Sequence, residues 1–381
     1  LCFVYCVIFG SILSFQWFSF GSSDDYTSAF GNNFDGYTVI KDSQEYALSF
    51  GGELTDETLQ QIVSDYQQME ADGMEEELEK TDWQIVNSWL GTLYPELRDT
   101  SNYKTMISYV DPDKLTGFYE RRQQVLDEFL EVSGQVGAEK EFLHQIDGKV
   151  EKPFHYEWVE GWSTLLGSTV ADLGVVMALF LGIVLSSLFA GEWHDNTSAL
   201  VLTTRNGWGK IALAKILTGL AFTVELFALL AVSSVISQLF FMGTAGWDMP
   251  IQNIKLIAVA PMNMLQAEIY EYAFVLLGAI GFAGIVMFIS AAVKNNVLTL
   301  LLSLAVVYGP MMIAEYLPYE MQKALDLIPL VGSSTDIFRT NTFRIWGKLI
   351  WSPYLLITIP VLIGILCMPF AIKSWSRRMK A

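Results

Sequence analysis

The stretch FAGEWHDNTSALVLTTRNGWGK, residues 189–210, decides the fold, because it is a short polar segment between two long apolar runs. The flanking residues 168–190 and 211–241 are apolar over the length that a helix needs to cross a bilayer, about twenty residues. The segment therefore predicts a compact connection between two membrane-spanning helices.

Four further stretches have the same character, so six apolar stretches are predicted to span a membrane: 1–20, 168–190, 211–241, 271–293, 296–317 and 351–372. The chain is 52% hydrophobic and only 17% charged, whereas about a quarter of a soluble domain is charged. No small-residue cleavage site follows residues 1–20, so we interpret them as a retained transmembrane helix rather than a signal peptide. Because Leu1 already lies inside an apolar run, we expect a native start upstream of it.

Residues 21–165 differ from the rest, since they contain 30 acidic and 10 basic residues. The helical periodicity of 54–71, with Thr55 as N-cap, and of 111–132 predicts a mainly helical domain. About 145 residues are enough for a core of its own. The predicted fold is thus an all-α integral membrane protein with six transmembrane helices and a helical extracellular domain between helices 1 and 2.

Lysines and arginines next to the spans set the orientation, because they accumulate on the cytoplasmic side. The segment 191–210, Lys294 and the basic tail 374–381 outweigh the basic residues of the opposite loops. We therefore expect cytoplasmic termini and an extracellular domain at 21–165. Residues 166–373 form the five-helix domain, with an extracellular apolar hairpin at 318–348.

Between its two spans, the polar segment can form a short helix of its own. Asn196 or Thr197 can cap it, and Leu200, Val201 and Leu202 give it an apolar patch. A helix held rigidly in this way is suited to docking in a groove of a soluble partner. Spacing alone favours an ordinary cytoplasmic loop over such a docking helix.

The residues of this segment resemble the pattern of ABC-2-type transporter permeases, in the subset with a large first extracellular domain that is found in Gram-positive bacteria. The matching positions are Phe189, Glu192, Leu200, Leu202, Thr203, Thr204, Arg205 and Lys215, and SAAVKNN (290–296) is similar to the family's junction between helices four and five. Asn196 stands where the family usually has Gly, and Asn tolerates the left-handed backbone.

The resemblance implies that the segment is a coupling helix that contacts a cytoplasmic ATP-binding cassette ATPase. The residues expected to couple the two proteins are Phe189, Glu192, Asn196, Leu200, Arg205 and Lys210. The chain has no G-x-x-x-x-G-K-[ST] loop, so we expect no catalytic residues here and ATP-Mg on the partner subunit. The resemblance further implies a plasma-membrane exporter with a second, identical or related, permease, moving a hydrophobic or amphipathic compound such as an antimicrobial peptide or drug.

Glu225 is the strongest single candidate for a functional residue within a span, because an ionised side chain near the middle of a membrane is unfavourable unless it is paired or hydrated. It either lines a pathway or an interface between two permeases, or is a protonated carboxyl bonded to a neighbouring helix. Glu268 and Glu271, ahead of the fourth span, are interpreted as ordinary interfacial acids or as guards of an outer vestibule. The small residues Gly278, Gly281 and Gly284 predict close helix packing.

Two other classes of function remain open: a non-transporting membrane sensor of external peptides, and an ion-coupled carrier that uses Glu225. The sequence has no H-E-x-x-H motif or other metal-binding spacing. It also has no cluster of basic and aromatic residues of the kind that binds nucleic acid.

Overall fold

The computed structural model describes residue 44 and residues 51–73, 83–99, 104–194, 209–293, 295–331 and 340–377. The chain is mostly helical, and five of its described helices are long and apolar enough to cross a membrane. The first predicted span, residues 1–20, lies outside the described residues.

A polar domain precedes the long helices. Its two ends are joined by a small antiparallel sheet, in which strand β1 (Gly52–Leu54) pairs with strand β2 (Phe154–Tyr156). The helices between these strands are α1 (Asp56–Ala71), α2 (Trp83–Leu93), α3 (Phe118–Val132) and α4 (Ala138–Asp147). The domain is therefore mainly helical, as its periodicity predicts.

The boundaries of α1 and α3 follow from their caps. Thr55 caps α1 as predicted, and its side chain accepts a hydrogen bond from Thr58 N at 3.2 Å. The periodic stretch 111–132 is not one helix: Pro112–Lys114 form a 3-10 turn, and α3 begins only after Gly117, whose φ is 71°. Asp56 of α1 caps α3, since its carboxylate accepts from Gly117 N at 2.7 Å and Phe118 N at 2.9 Å.

After the polar domain come the long helices. Helix α5 (Glu160–Thr164) and a π-helical turn (Leu165–Thr169) run continuously into α6 (Val170–His194). Next come α7 (Lys210–Met242), α8 (Met264–Ala292) and α9 (Asn296–Ile313). Helix α8 begins seven residues before the predicted span at 271, because Asn263 and Gln266 form a capping box there.

The predicted apolar hairpin at 318–348 contains regular secondary structure in its described residues. It contains helix α10 (Tyr319–Leu325) and strand β3 (Thr342–Ile345), which pairs with β4 (Lys348–Trp351). The turn residues Trp346 and Gly347 both have positive φ, 49° and 79°, as a two-residue hairpin turn requires. The last helix, α11 (Ser352–Arg377), follows directly.

Close packing of α8 and α11 confirms the prediction made for the glycines. A Cβ at Gly281 would collide with the carbonyl oxygen of Pro360, and one at Gly284 with that of Gly364. Two helix backbones can approach this closely only where small residues meet, as Gly281 and Gly284 of α8 do with Gly364 of α11.

The polar domain is fixed to the end of the bundle where α7 and α8 are joined by residues 243–263. Trp89 Nε1 donates to Asn253 O at 2.9 Å, and Asn253 Nδ2 donates to His155 O at 2.6 Å. Leu256 and Val259 of this connection are buried in the same hydrophobic core as the domain's helices. We call the opposite end of the bundle the basal end.

Candidate functional site

Four helices meet at the basal end: the last turns of α6, α8 and α11 and the first turns of α7. Six side chains that contact one another there are called the basal cluster. They are Phe189, Glu192, Trp193, Lys215, Ser290 and Trp375.

An ion pair joins the two helices that flank the polar segment. Lys215 Nζ of α7 lies 2.6 Å from Glu192 Oε1 of α6, with the side chains 15% and 21% exposed. The same ammonium donates to the Leu188 carbonyl in the last turns of α6, where the helix dipole favours a positive charge. The end of α6 and the start of α7 are thereby clamped together.

Aromatic rings surround this pair and extend it to the last helix. Lys215 Nζ lies 5.3 Å from the ring centre of Phe189 and 5.4 Å from that of Trp375, within the range of a cation–π interaction. Trp375 contacts Phe189 and Trp193, with ring centres 5.5 Å and 6.0 Å apart. Because Phe189 and Trp375 are fully buried, these contacts bind α11 firmly to α6.

Ser290 connects α8 to the same place. Its hydroxyl accepts from the backbone N–H groups of Phe189 and Ala190, each at 3.1 Å, and donates to Ser186 O at 2.7 Å. A hydroxyl that bonds the backbone of a neighbouring helix holds the two helices in register.

The predicted coupling residues divide into three groups. Phe189 and Glu192 lie in the basal cluster. Lys210 is exposed at the first position of α7. Asn196, Leu200 and Arg205 lie outside the described residues. Lys215 and Ser290, which entered only through the family resemblance, lie at the centre of the cluster.

Sequence reasoning singled out neither Trp193 nor Trp375 as a residue of this site. A tryptophan directly after Glu192 and another in the basic end of α11 were the available signals, but no periodicity relates positions 182 residues apart in the chain. Their contact depends on the tertiary packing of α6 against α11.

The cluster links four helices: Glu192 and Lys215 join α6 to α7, while Trp375 and Ser290 add α11 and α8. Among the described residues, no group of three or more His, Cys, Asp or Glu side chains could hold a metal ion.

Glu225 lies elsewhere, near the middle of α7, and its side chain is exposed on the surface of the chain. We expected it to face protein. Among the described residues it does not, because the buried stripe of α7 passes through Thr223 and Leu226 instead.

No family model, curated protein or solved structure matches this chain. Its functional interpretation therefore depends on its own residues and their geometry.

Proposed function

We propose that this chain is the membrane-spanning permease subunit of an ATP-driven exporter of the ABC-2 type. In this proposal residues 1–20 supply a sixth span, the polar domain is extracellular, and the basal end faces the cytoplasm of a bacterial cell. The Glu192–Lys215 clamp carries the proposal, because both residues belong to the family pattern and together they bracket the polar segment.

The clamp gives the proposed coupling a physical route. ATP-Mg would be bound and hydrolysed on a separate cassette ATPase that docks against residues 195–208. Movement of that ATPase would shift α6 and α7 as a unit, since their ends are tied by an ion pair of 2.6 Å. Closely packed helices transmit such displacements because they do not deform continuously.

Glu225 supports a second permease as a partner. A carboxylate exposed to lipid at mid-membrane is costly, and the neighbouring exposed side chains Val224, Val232 and Ile236 offer an apolar surface around it. A second permease packed against α7 would remove the glutamate from lipid.

A cavity between the polar domain and α10 supports an amphipathic cargo. Its volume is about 870 Å³, which is within the range of small-molecule sites. Apolar and polar groups both line it, among them Phe129, Leu166, Ile257, Lys255, Gln322 and Asn341.

The direct test measures ATP hydrolysis by the proposed cassette ATPase partner, reconstituted with this chain in lipid vesicles. We expect Glu192→Gln and Lys215→Gln each to lower permease-stimulated hydrolysis about tenfold, because each removes roughly 1.4 kcal/mol of coupling. Lys373→Gln is the matched control, since Lys373 is an exposed cation at the basal end of α11. The swapped pair Glu192→Lys with Lys215→Glu should recover part of the activity.

Full stimulation in both single variants would refute the proposal. So would transport that continues without ATP, is driven by an ion gradient and resists vanadate.

A further inference from the structure

A second set of polar groups is buried at the other end of α7 and α8, about one turn from where these helices reach the polar domain. Gln238 of α7 is fully buried, and Glu268 of α8 is 4% exposed. Both lie in helices apolar enough to cross a membrane, where buried polar side chains are rare and costly.

The antiparallel register of the two helices places these residues face to face. Gly219 of α7 meets Met287 of α8, and Ser234 Oγ lies 3.0 Å from Tyr272 Oη. Gln238 follows Ser234 by four residues on the buried stripe of α7, while Glu268 precedes Tyr272 by four on α8. One turn beyond the Ser234–Tyr272 contact, therefore, the Gln238 amide faces the Glu268 carboxyl.

These facing groups have few hydrogen-bond partners among the described residues. Within the described part of the chain, neither amide atom of Gln238 has a hydrogen-bond partner. The Tyr272 hydroxyl lies beside the Glu268 carboxyl, and no other described donor reaches its two oxygens. Gln238 and Glu268 thus face each other without bonding directly, although buried polar groups are nearly always satisfied.

Within the described residues, neither of the two helices brings a positive charge to this end of the bundle. Helix α8 has no Lys, Arg or His, and α7 has none beyond Lys215 at the basal end. The other acids of the elements packed here are Glu271 of α8, Glu160 of α5 and the exposed Asp172 of α6. Among the described residues of these two helices, no cation is therefore placed to balance an ionised Glu268.

We propose that Glu268, Gln238 and Tyr272 form a binding site for a hard monovalent cation of the sodium type. One carboxylate balances one positive charge, while the amide and hydroxyl oxygens add neutral ligands of the kind that hard cations prefer. Because a cation between two oxygens keeps them farther apart than a direct hydrogen bond, the site accounts for facing groups that do not bond to each other. The site does not depend on the exporter proposal.

Thermal unfolding of the full chain in detergent tests the site, with NaCl compared against choline chloride at equal ionic strength and neutral pH. We expect NaCl to raise Tm by about 2–4 °C, in a saturable way, since a ligand of the native state stabilises it by mass action. Glu268→Gln and Gln238→Leu should each abolish the Na⁺-dependent shift. Asp172→Asn, which alters an exposed acid of α6, should retain it.

Gln238→Glu provides an independent test, because the Na⁺-dependent shift in Tm is expected to grow in this variant rather than to disappear. A second carboxylate should enlarge the Na⁺-dependent shift, because it strengthens the attraction for a cation.

Two results would overturn the site: equal Tm values in NaCl and choline chloride for the unaltered chain, or a Na⁺-dependent shift that survives in Glu268→Gln. Stabilisation by low pH alone, with no response to Na⁺, would identify a proton as the occupant and likewise overturn it.

Discussion

At the scale of single residues, Arg122 shows how one buried charge fixes the polar domain to the membrane helices. Its guanidinium is fully buried and lies 2.6 Å from Asp147 Oδ1, with two more hydrogen bonds to the carbonyls of Leu256 and Ala258. Sequence analysis did not single out Arg122, although it lies on the buried face of α3 together with Phe118 and Leu126. Only the fold brings the 243–263 connection to its side chain.

Removing the carboxylate that balances Arg122 should therefore lower the stability of the fold strongly. Asp147→Asn is expected to lower the free energy of unfolding by about 3–5 kcal/mol, because it leaves a buried guanidinium uncompensated. Denaturant unfolding of the full chain in detergent measures this. Glu131→Gln, which breaks the exposed pair with Lys140, is the control and should change little; an equally small effect at Asp147 would contradict the argument.

Tyr119 makes the stability of the fold depend on pH in the alkaline range. Burial raises the pKa of Tyr119 from 10.0 to about 12, and its hydroxyl donates to Leu54 O at 2.7 Å. Since the native pKa is the higher one, the stabilisation is complete below pH 10.0 and is lost as pH rises toward 12.

Tyr119→Phe should cost about 1–2 kcal/mol at neutral pH, because the hydroxyl also accepts from Phe154 N. Its stability should then fall less steeply than that of the unaltered chain as pH rises through this window. Parallel stability–pH curves would show that Tyr119 does not carry the dependence. Tyr94, whose pKa burial also raises to about 12, is present in both proteins and cancels in the comparison.

At the scale of elements, hydropathy and glycine spacing predict a large part of the membrane domain. Five described helices coincide with predicted apolar stretches, and the glycines of α8 pack on α11 as expected. What the sequence could not predict are contacts between distant segments. Strands β1 and β2 pair across about a hundred residues, and Asp56 in the first turn of α1 caps the distant helix α3.

The glycine contact gives a prediction at this scale. Gly281→Ala should lower the free energy of unfolding by about 1–3 kcal/mol, because a Cβ there collides with the Pro360 backbone and forces α8 and α11 apart. Gly174→Ala is a matched control: it is a helical glycine of α6 whose added Cβ would meet no atom within 4 Å. The control should be neutral or slightly stabilising, and the two values are compared by thermal unfolding in detergent. Equal effects of the two substitutions would argue against a tight α8–α11 contact.

At the scale of the whole molecule, two features define the chain: a polar domain fixed to one end of a helix bundle, and a clamp at the other. The sequence predicted the polar segment, and the family resemblance pointed to four members of the basal cluster: Phe189, Glu192, Lys215 and Ser290. It could not predict that Trp193 and Trp375 complete the cluster, because their proximity arises only when α6 and α11 pack together.

The central claim is that the basal end faces the cytoplasm and the polar domain faces the outside. A membrane-impermeant maleimide tests it on intact cells that express the chain with Cys2, Cys6 and Cys367 replaced by serine and one new cysteine added. We predict that Glu128→Cys, exposed on α3, is labelled at once, whereas Lys210→Cys, exposed at the start of α7, is labelled only after the cells are permeabilised. Labelling of Lys210→Cys from outside, with Glu128→Cys protected, would invert the topology and remove the docking site for a cytoplasmic ATPase.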